Sequence, residues 1–188
     1  MNVPAPIFDH ELCLRPCVDV DAATLAAAVV HSADSVGRWL PWCHARYSLD
    51  DARQFISEAR RNWESGEGPF DLAVEASGQF AGCIRLRRLA RDPATGNLGY
   101  WIRSDLQGRG LAVRAARLAC RIAFGVLALR HLEIVAARDN FASRRVAERL
   151  GARFQGFACP PQAPGIGADS DAVYLLCAEP EAGDAQKP

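Results

Sequence analysis

Between residues 97 and 157 the chain alternates strand-like and helix-like stretches around one glycine-rich turn, and this alternation narrows the fold more than any other feature. Leu98-Gly99-Tyr100-Trp101-Ile102 is apolar and aromatic and reads as a strand. Gln107-Gly108-Arg109-Gly110-Leu111-Ala112 follows, then a helical pattern over 110–127 in which Leu111, Ala115, Leu118, Ile122 and Val126 share a face. A strand that ends in a glycine turn and opens a helix is a ready anion site. Glycines let successive backbone N–H groups converge, and the helix N-terminus adds a partial positive charge. Phosphate or pyrophosphate is the natural guest. The spacing is neither GxxxxGK[ST] nor GxGxxG, which speaks against the nucleotide-binding proteins that carry those turns. His131-Leu132-Glu133-Ile134-Val135-Ala136 is again strand-like, a helix is predicted over 141–150 with Gly151 as its stop, and a strand at about 152–157.

The first half reads differently. Residues 1–9 have two prolines and little pattern, and are expected to be a flexible lead. A strand at 12–15 is closed by Pro16; a helix over 20–31 has Asp19 or Asp21 as its cap. Trp39-Leu40-Pro41-Trp42 breaks the pattern. Ser48 and Asp51 have capping-box spacing ahead of Ala52, Phe55, Ile56, Ala59 and Trp63, which keep helical spacing as far as Gly66 and Gly68-Pro69. Strands at 70–75 and 80–86 meet around Ser77-Gly78, and Asp92-Pro93 with Thr95-Gly96 marks the next turn. Residues 158–170 read as a loop, 172–177 as the last strand, and 179–188 as a disordered tail. The order β-α-α-β-β-β-α-β-α-β-β predicts one α/β (α+β) domain over 10–178. Its sheet is mixed and mostly antiparallel, with helices on both faces.

Charge and cysteine content set bounds on partners. The 22 basic and 22 acidic residues cancel, so net charge implies neither nucleic acid nor an anionic membrane. Arg114, Arg117 and Arg121 on one helix face, and Arg144, Arg145 and Arg149 on another, read as solvated faces. Seven cysteines without a C-x-x-C pair fit core packing in a reducing cytoplasm. His10, Cys13 and Cys17 lack a fourth partner of suitable spacing, so no metal is expected. No signal peptide or apolar run of membrane length is present. A monomer or a homodimer is expected.

Gln107, Gly110 and Ala112 fit Q/R-x-x-G-x-G/A, which resembles the pyrophosphate turn of the GNAT superfamily of acetyl-CoA-dependent N-acetyltransferases. The stretch from Asp139 to Ala152 is similar to that superfamily's N-x-x-S-x-x-x-x-x-x-L-G segment. With Trp39-Leu40-Pro41-Trp42 it most resembles the ribosomal-protein-alanine and -serine N-acetyltransferase branch. The resemblance implies the GNAT fold, in which two central strands begin parallel and splay apart to admit the pantetheine arm. The splayed edges here would be Gly99 to Ile102 and Ile134 to Ala136. It further implies acetyl-CoA as cosubstrate, held by Trp101, Ile102, Gln107, Gly108, Arg109, Gly110, Leu111, Ala112, Asn140, Ser143 and Arg144. The matching serine, Ser143, would protonate the departing thiolate.

Acetyl transfer from a thioester to an amine needs a neutral amine held near the carbonyl, donors for the oxyanion, and a proton for the thiolate. Asn140 and Ser143 stand three apart on one helix face, although Asn140 also suits the N-cap and Ser143 a plain first-turn residue. Where many relatives carry a Glu, this chain has Asn97, whose amide accepts no proton at neutral pH. A water chain, or Asp71, Glu75 or Glu133, would have to serve instead. Such a site suits an α-amine, with a pKa of about 7.7–8.0, better than a lysine at about 10.4. Trp39, Trp42 and His44 are candidate walls for the acceptor, either a protein N-terminus or a small amine such as an antibiotic or amino-acid derivative. A non-catalytic acyl-CoA-binding domain is the competing reading; Asn97 favours it, Ser143 and Asn140 disfavour it.

Overall fold

The computed structural model describes residues 4–158 and 171–178. Eight strands form one sheet: β1 (Ile7–Asp9), β2 (Leu12–Pro16), β3 (Phe70–Ala76), β4 (Gln79–Leu89), β5 (Asp92–Ile102), β6 (His131–Ala136), β7 (Arg153–Ala158) and β8 (Asp171–Cys177). They lie in the order β1-β2-β3-β4-β5-β6-β8-β7. Among these strands only β5 and β6 pair in parallel, and only over Thr95–Asn97 against His131–Glu133. Two short helices, α1 (Ala22–His31) and α2 (Ala33–Val36), precede the long α3 (Leu49–Ser65); α4 (Leu111–Arg121) and α5 (Phe141–Arg149) lie in the second half. Among the described residues no helix is long and apolar enough to cross a membrane.

Period-two alternation assigns the strand residues to two layers. Leu72 and Val74 of β3, Ile84 and Leu86 of β4, and Leu98 and Ile102 of β5 pack with Leu111, Ala115, Leu118 and Ala119 of α4 and Ala147 of α5. The intervening Ala73, Cys83 and Trp101 face the other way, against Leu25 and Val29 of α1, Val36 of α2, and Ala52 and Ile56 of α3. Helix α3 forms where the sequence predicts it. The Ser48 hydroxyl accepts from the Asp51 N–H (3.1 Å), and the Asp51 carboxylate accepts from the Ser48 N–H (2.8 Å). Both ends of the first turn are thus satisfied. Its Ile56 is buried, a contribution of about 1.5–3 kcal/mol.

Three expectations shift. The lead predicted over 1–9 ends in a strand, for Ile7 and Asp9 pair with Leu14 and Leu12. Three residues are too few to show alternation, and the strand is anchored from a distance: Arg114 of α4 donates to the Asp9 carboxylate and to its backbone O, both at 2.6 Å. The turn expected at 92–96 falls at 90–91 instead, because β4 and β5 run on past it. Pro93 is tolerated there because it sits at the tip of the ladder, beside a register shift at Arg88/Leu89. The helix predicted over 110–127 is α-helical to Arg121 and then widens into a π turn at Ile122–Val126, closed by the Leu127 N–H on the Ile122 O at 2.9 Å. Of the loop expected over 158–170, residues 159–170 lie outside the described residues, as does the tail at 179–188.

Candidate active site

The parallel pair β5–β6 stops at Asn97↔Glu133, yet β5 continues to Ile102 and β6 to Ala136. Beyond Asn97 the two strands diverge, and their facing backbone edges have no ladder partner in each other. Unpaired backbone N–H and C=O groups inside a protein call for a ligand or water. The Asn97 side chain sits at the apex of this wedge and donates to the Glu133 backbone O at 3.3 Å. Its amide closes the last rung of the parallel ladder.

A cavity of about 800 Å³ runs through the wedge from one face of the sheet to the other. At one end lie Gln107, Gly108, Gly110, Leu111, Ala112 and Val113, the start of α4. Gly108 and Gly110 both have φ of 76°. That left-handed conformation costs an L-residue roughly 1–2 kcal/mol. Gly110 is the N-cap of α4, and the first helical bond there runs from the Arg114 N–H to the Gly110 O. The N–H groups at 111–113 therefore point out of the helix end. The Gln107 side chain donates to the Ile102 O at 2.9 Å and pins the end of β5. Arg109 is exposed and donates to the Asp105 backbone O at 3.1 Å; its side chain does not line the cavity.

Asn140 is the N-cap of α5, its side-chain oxygen accepting from the Ser143 N–H at 3.1 Å, and both residues line the cavity. Arg144 points away, donating to the Tyr174 hydroxyl and the Arg138 backbone O; Arg145 and Arg149 line the cavity in its place. Helical spacing carried that signal, since Ala142, Arg145, Val146 and Arg149 fall on one face. Tyr100 is a residue the sequence reading did not single out. Its hydroxyl lies 2.9 Å from the Ser143 backbone O and 3.1 Å from the Ser143 hydroxyl. Burial pushes the Tyr100 hydroxyl up to about 12, against the Ser143 hydrogen bond that pulls it down, so it stays protonated at neutral pH and donates.

The other end of the cavity, on the α1–α3 face, is aromatic. Trp39 and Trp42 line it, with Trp42 edge-on to Trp101 at 5.8 Å between ring centroids. Trp101 therefore offers its backbone to the wedge and its ring to this chamber. His44 stacks edge-on against Tyr47 (6.4 Å) one layer further out and does not line the cavity. Tyr47 and Phe55 complete the walls. Of the three carboxylates considered as bases, Asp71 alone reaches the cavity. Burial raises its pKa, against the Arg85 guanidinium that holds it bidentately at 2.6 and 3.0 Å. Glu75 is tied to Arg15 at 2.9 Å, and Glu133 to Arg91.

A splayed parallel pair, a glycine turn at a helix start and a hydroxyl at the wedge are what the sequence resemblance implies. The chain belongs to the GNAT acetyltransferase family, whose domain matches residues 11–153. The family's members are acyltransferases, and the relatives place this chain in the ribosomal-protein N-acetyltransferase branch. It is 31% identical over 151 residues, 80% of this chain and 82% of the other, to YdaF of Bacillus subtilis (strain 168), named as a ribosomal N-acetyltransferase. The fold matches ribosomal-protein-S5-alanine acetyltransferase from Vibrio fischeri, with a TM-score of 0.80 and 20% identity over 98% of this chain and 100% of that one. It also matches the ribosomal L7/L12 α-N-protein acetyltransferase RimL in complex with coenzyme A, with a TM-score of 0.79 and 18% identity over 93% and 97%.

Proposed function

We propose that this chain moves an acetyl group from acetyl-CoA to a primary amine, and that the amine is the α-amine of a protein N-terminus, by direct attack in a ternary complex. The observation that carries this is the cavity crossing the sheet, with a glycine turn at a helix start at one end and an aromatic-rich chamber at the other. The relative solved with coenzyme A has the same fold. The turn at 107–112 suits the pyrophosphate, and the unpaired edges of β5 and β6 suit the two amides of pantetheine. The amine enters from the aromatic end. The attack forms the C–N bond and breaks the C–S bond; the ammonium proton goes to solvent, and the thiolate takes one from Ser143, whose hydroxyl is reprotonated from solvent.

The choice of an α-amine rests on what the chamber lacks. Asn97 is spent at the apex of the wedge, and the carboxylate that reaches the cavity, Asp71, is held by Arg85. Among the described residues no free carboxylate lines this cavity to deprotonate a lysine, which needs about 3.4 kcal/mol more than an α-amine, from a pKa gap of about 2.5 units at 1.36 kcal/mol each. Turnover should rise with pH through an apparent pKa near that of the free amine, about 7.7–8.0 for an α-amine. Ala- or Ser-initiated peptides should be acetylated faster than their N-acetylated, lysine-containing counterparts. Faster reaction of the blocked lysine peptides would overturn the assignment.

Tyr100 positions Ser143 in this scheme. The Tyr100 O–H has two acceptors in reach, the Ser143 backbone O and the Ser143 hydroxyl; when it donates to the hydroxyl, that hydroxyl's own proton is free for the thiolate. Tyr100→Phe should lower kcat by roughly tenfold, less than the roughly hundredfold or more of a full general-acid contribution, and leave coenzyme A affinity unchanged. The double variant Tyr100→Phe/Ser143→Ala should be no slower than Ser143→Ala alone, since residues that act as a unit are not additive. Additive losses would mean that Tyr100 acts independently of Ser143.

A further inference from the structure

The sheet carries a cross-strand row that the transfer chemistry above does not use. Asp71 of β3 pairs in register with Arg85 of β4, and Arg85 with Gly99 of β5. Adjacent strands lie about 4.8 Å apart, so Arg85 is one strand from the wedge, and Gly99, two residues past its apex, has no side chain to separate them. A Cβ on Gly99 would meet only Arg85 Cβ at 3.9 Å and Arg85 O at 4.0 Å, so bare backbone floors the space between Arg85 and the diverging strands. The two members of the ion pair differ sharply in exposure. The Asp71 side chain is 4% exposed and the Arg85 side chain 49%. Arg85 spends Nε and Nη2 on the carboxylate and makes no other hydrogen bond among the described residues. A guanidinium has five N–H donors. Arg85 itself lines the cavity, with Trp39, Trp42, Tyr47 and Phe55 among its neighbours on that lining. Burying the Asp71 carboxylate is a poor device for stability alone, since apolar residues of the same volume often do as well or better. This ion pair places a partly used guanidinium on the lining of the cavity that the amine is proposed to enter.

We propose that Arg85, locked by Asp71, is the acceptor anchor: it donates from Nη1 to an oxygen of the acceptor close to the attacking amine. This rests on the acetyltransferase reading above and sharpens its substrate class. The acceptor carries an oxygen near its amine, as a peptide α-amine (the first carbonyl) or a free amino acid (the carboxylate) does. Polyamines and plain alkylamines lack that oxygen. Among the described residues they also find no free carboxylate on the cavity lining, because both Asp71 oxygens accept from the guanidinium. Asp71 is a positioning residue here: it fixes the fork so that the remaining donors face the chamber.

The test is steady-state acetylation of three acceptors compared at equal concentration of neutral amine. They are an Ala-initiated peptide amide, free alanine, and the peptide analogue whose first carbonyl is reduced to a methylene. The parent protein should prefer an oxygen-bearing acceptor over the reduced analogue by roughly ten- to a hundredfold in kcat/KM, the range for a hydrogen bond to a charged group. Preference for the peptide amide identifies the oxygen as a carbonyl, and preference for alanine as a carboxylate. Arg85→Gln removes the fork but leaves Asp71 uncompensated, so the double variant Asp71→Asn/Arg85→Gln, a neutral hydrogen-bonded pair, is measured beside it. Both should show a raised acceptor KM, an unchanged KM for acetyl-CoA, and a preference reduced at least tenfold. If the parent accepts the reduced analogue as well as the others, or the folded double variant keeps the full preference, Arg85 is not the anchor and the acetyltransferase reading stands. If the parent acetylates no amine at all while still binding coenzyme A, that reading fails and takes this one with it.

Discussion

Ser143→Ala should lower turnover by roughly ten- to a thousandfold, the scale of general acid catalysis, while coenzyme A binds as before. The substitution is clean for a structural reason. Asn140 caps α5 through the backbone N–H of residue 143, not its side chain, so the cap survives. Alanine is also the best helix former, and Ser143 sits in the first turn of α5. The loss is then confined to one hydroxyl at the wedge. It should appear in kcat and kcat/KM together, the pattern of an interaction made only in the transition state. Single-turnover acetylation with saturating acetyl-CoA measures the chemical step directly. An alanine variant with unchanged single-turnover rate would remove Ser143 from the mechanism, and with it the positioning role of Tyr100.

Gly110→Val should weaken coenzyme A binding at least tenfold. The free protein has room for the side chain, since a Cβ at Gly110 would meet nothing within 4 Å. The conflict is with the backbone. A φ of 76° costs an L-residue about 1–2 kcal/mol, and a β-branched one is a true outlier there. The chain relieves that strain by rotating away from the left-handed region, which swings the N–H groups at 111–113 off their common focus. Each 1.4 kcal/mol is a factor of ten in affinity. Calorimetric titration with coenzyme A gives the affinity, and thermal unfolding without ligand gives the strain separately. Equal affinity in the parent and the valine variant would place the pyrophosphate elsewhere.

Element by element, legibility followed how local the cause was. The strand at 131–136 and the start of α5 at 141 appear where the sequence predicts them, and α3 is closed by the Ser48–Asp51 box read from spacing alone. These depend on alternation and on hydrogen bonds between residues three apart. β1 was not legible, because what holds it is an arginine about a hundred residues away. Nor was the turn between β4 and β5, where Pro93 and Gly96 signal a break that the pairing of two eleven-residue strands overrides. The site divides in the same way. Gln107, Gly110, Asn140 and Ser143, which line the cavity, were singled out by motif. Tyr100 and Arg85 were not, since each matters only through what lies across the sheet or on the facing helix.

The sequence by itself determined the elements, the glycine turn that opens α4, the hydroxyl at the start of α5 and the family to which these belong. Each of those is written in consecutive residues, in backbone conformations only glycine adopts freely and in side chains a turn apart. The tertiary structure alone decided that the parallel pair ends at Asn97, that the cavity passes through the sheet, and that Asp71 faces it already claimed by Arg85. Those outcomes depend on register between strands distant in the chain. A shift of one residue would exchange the two faces of a strand, turning Arg85 toward the α4 core and Tyr100 away from Ser143.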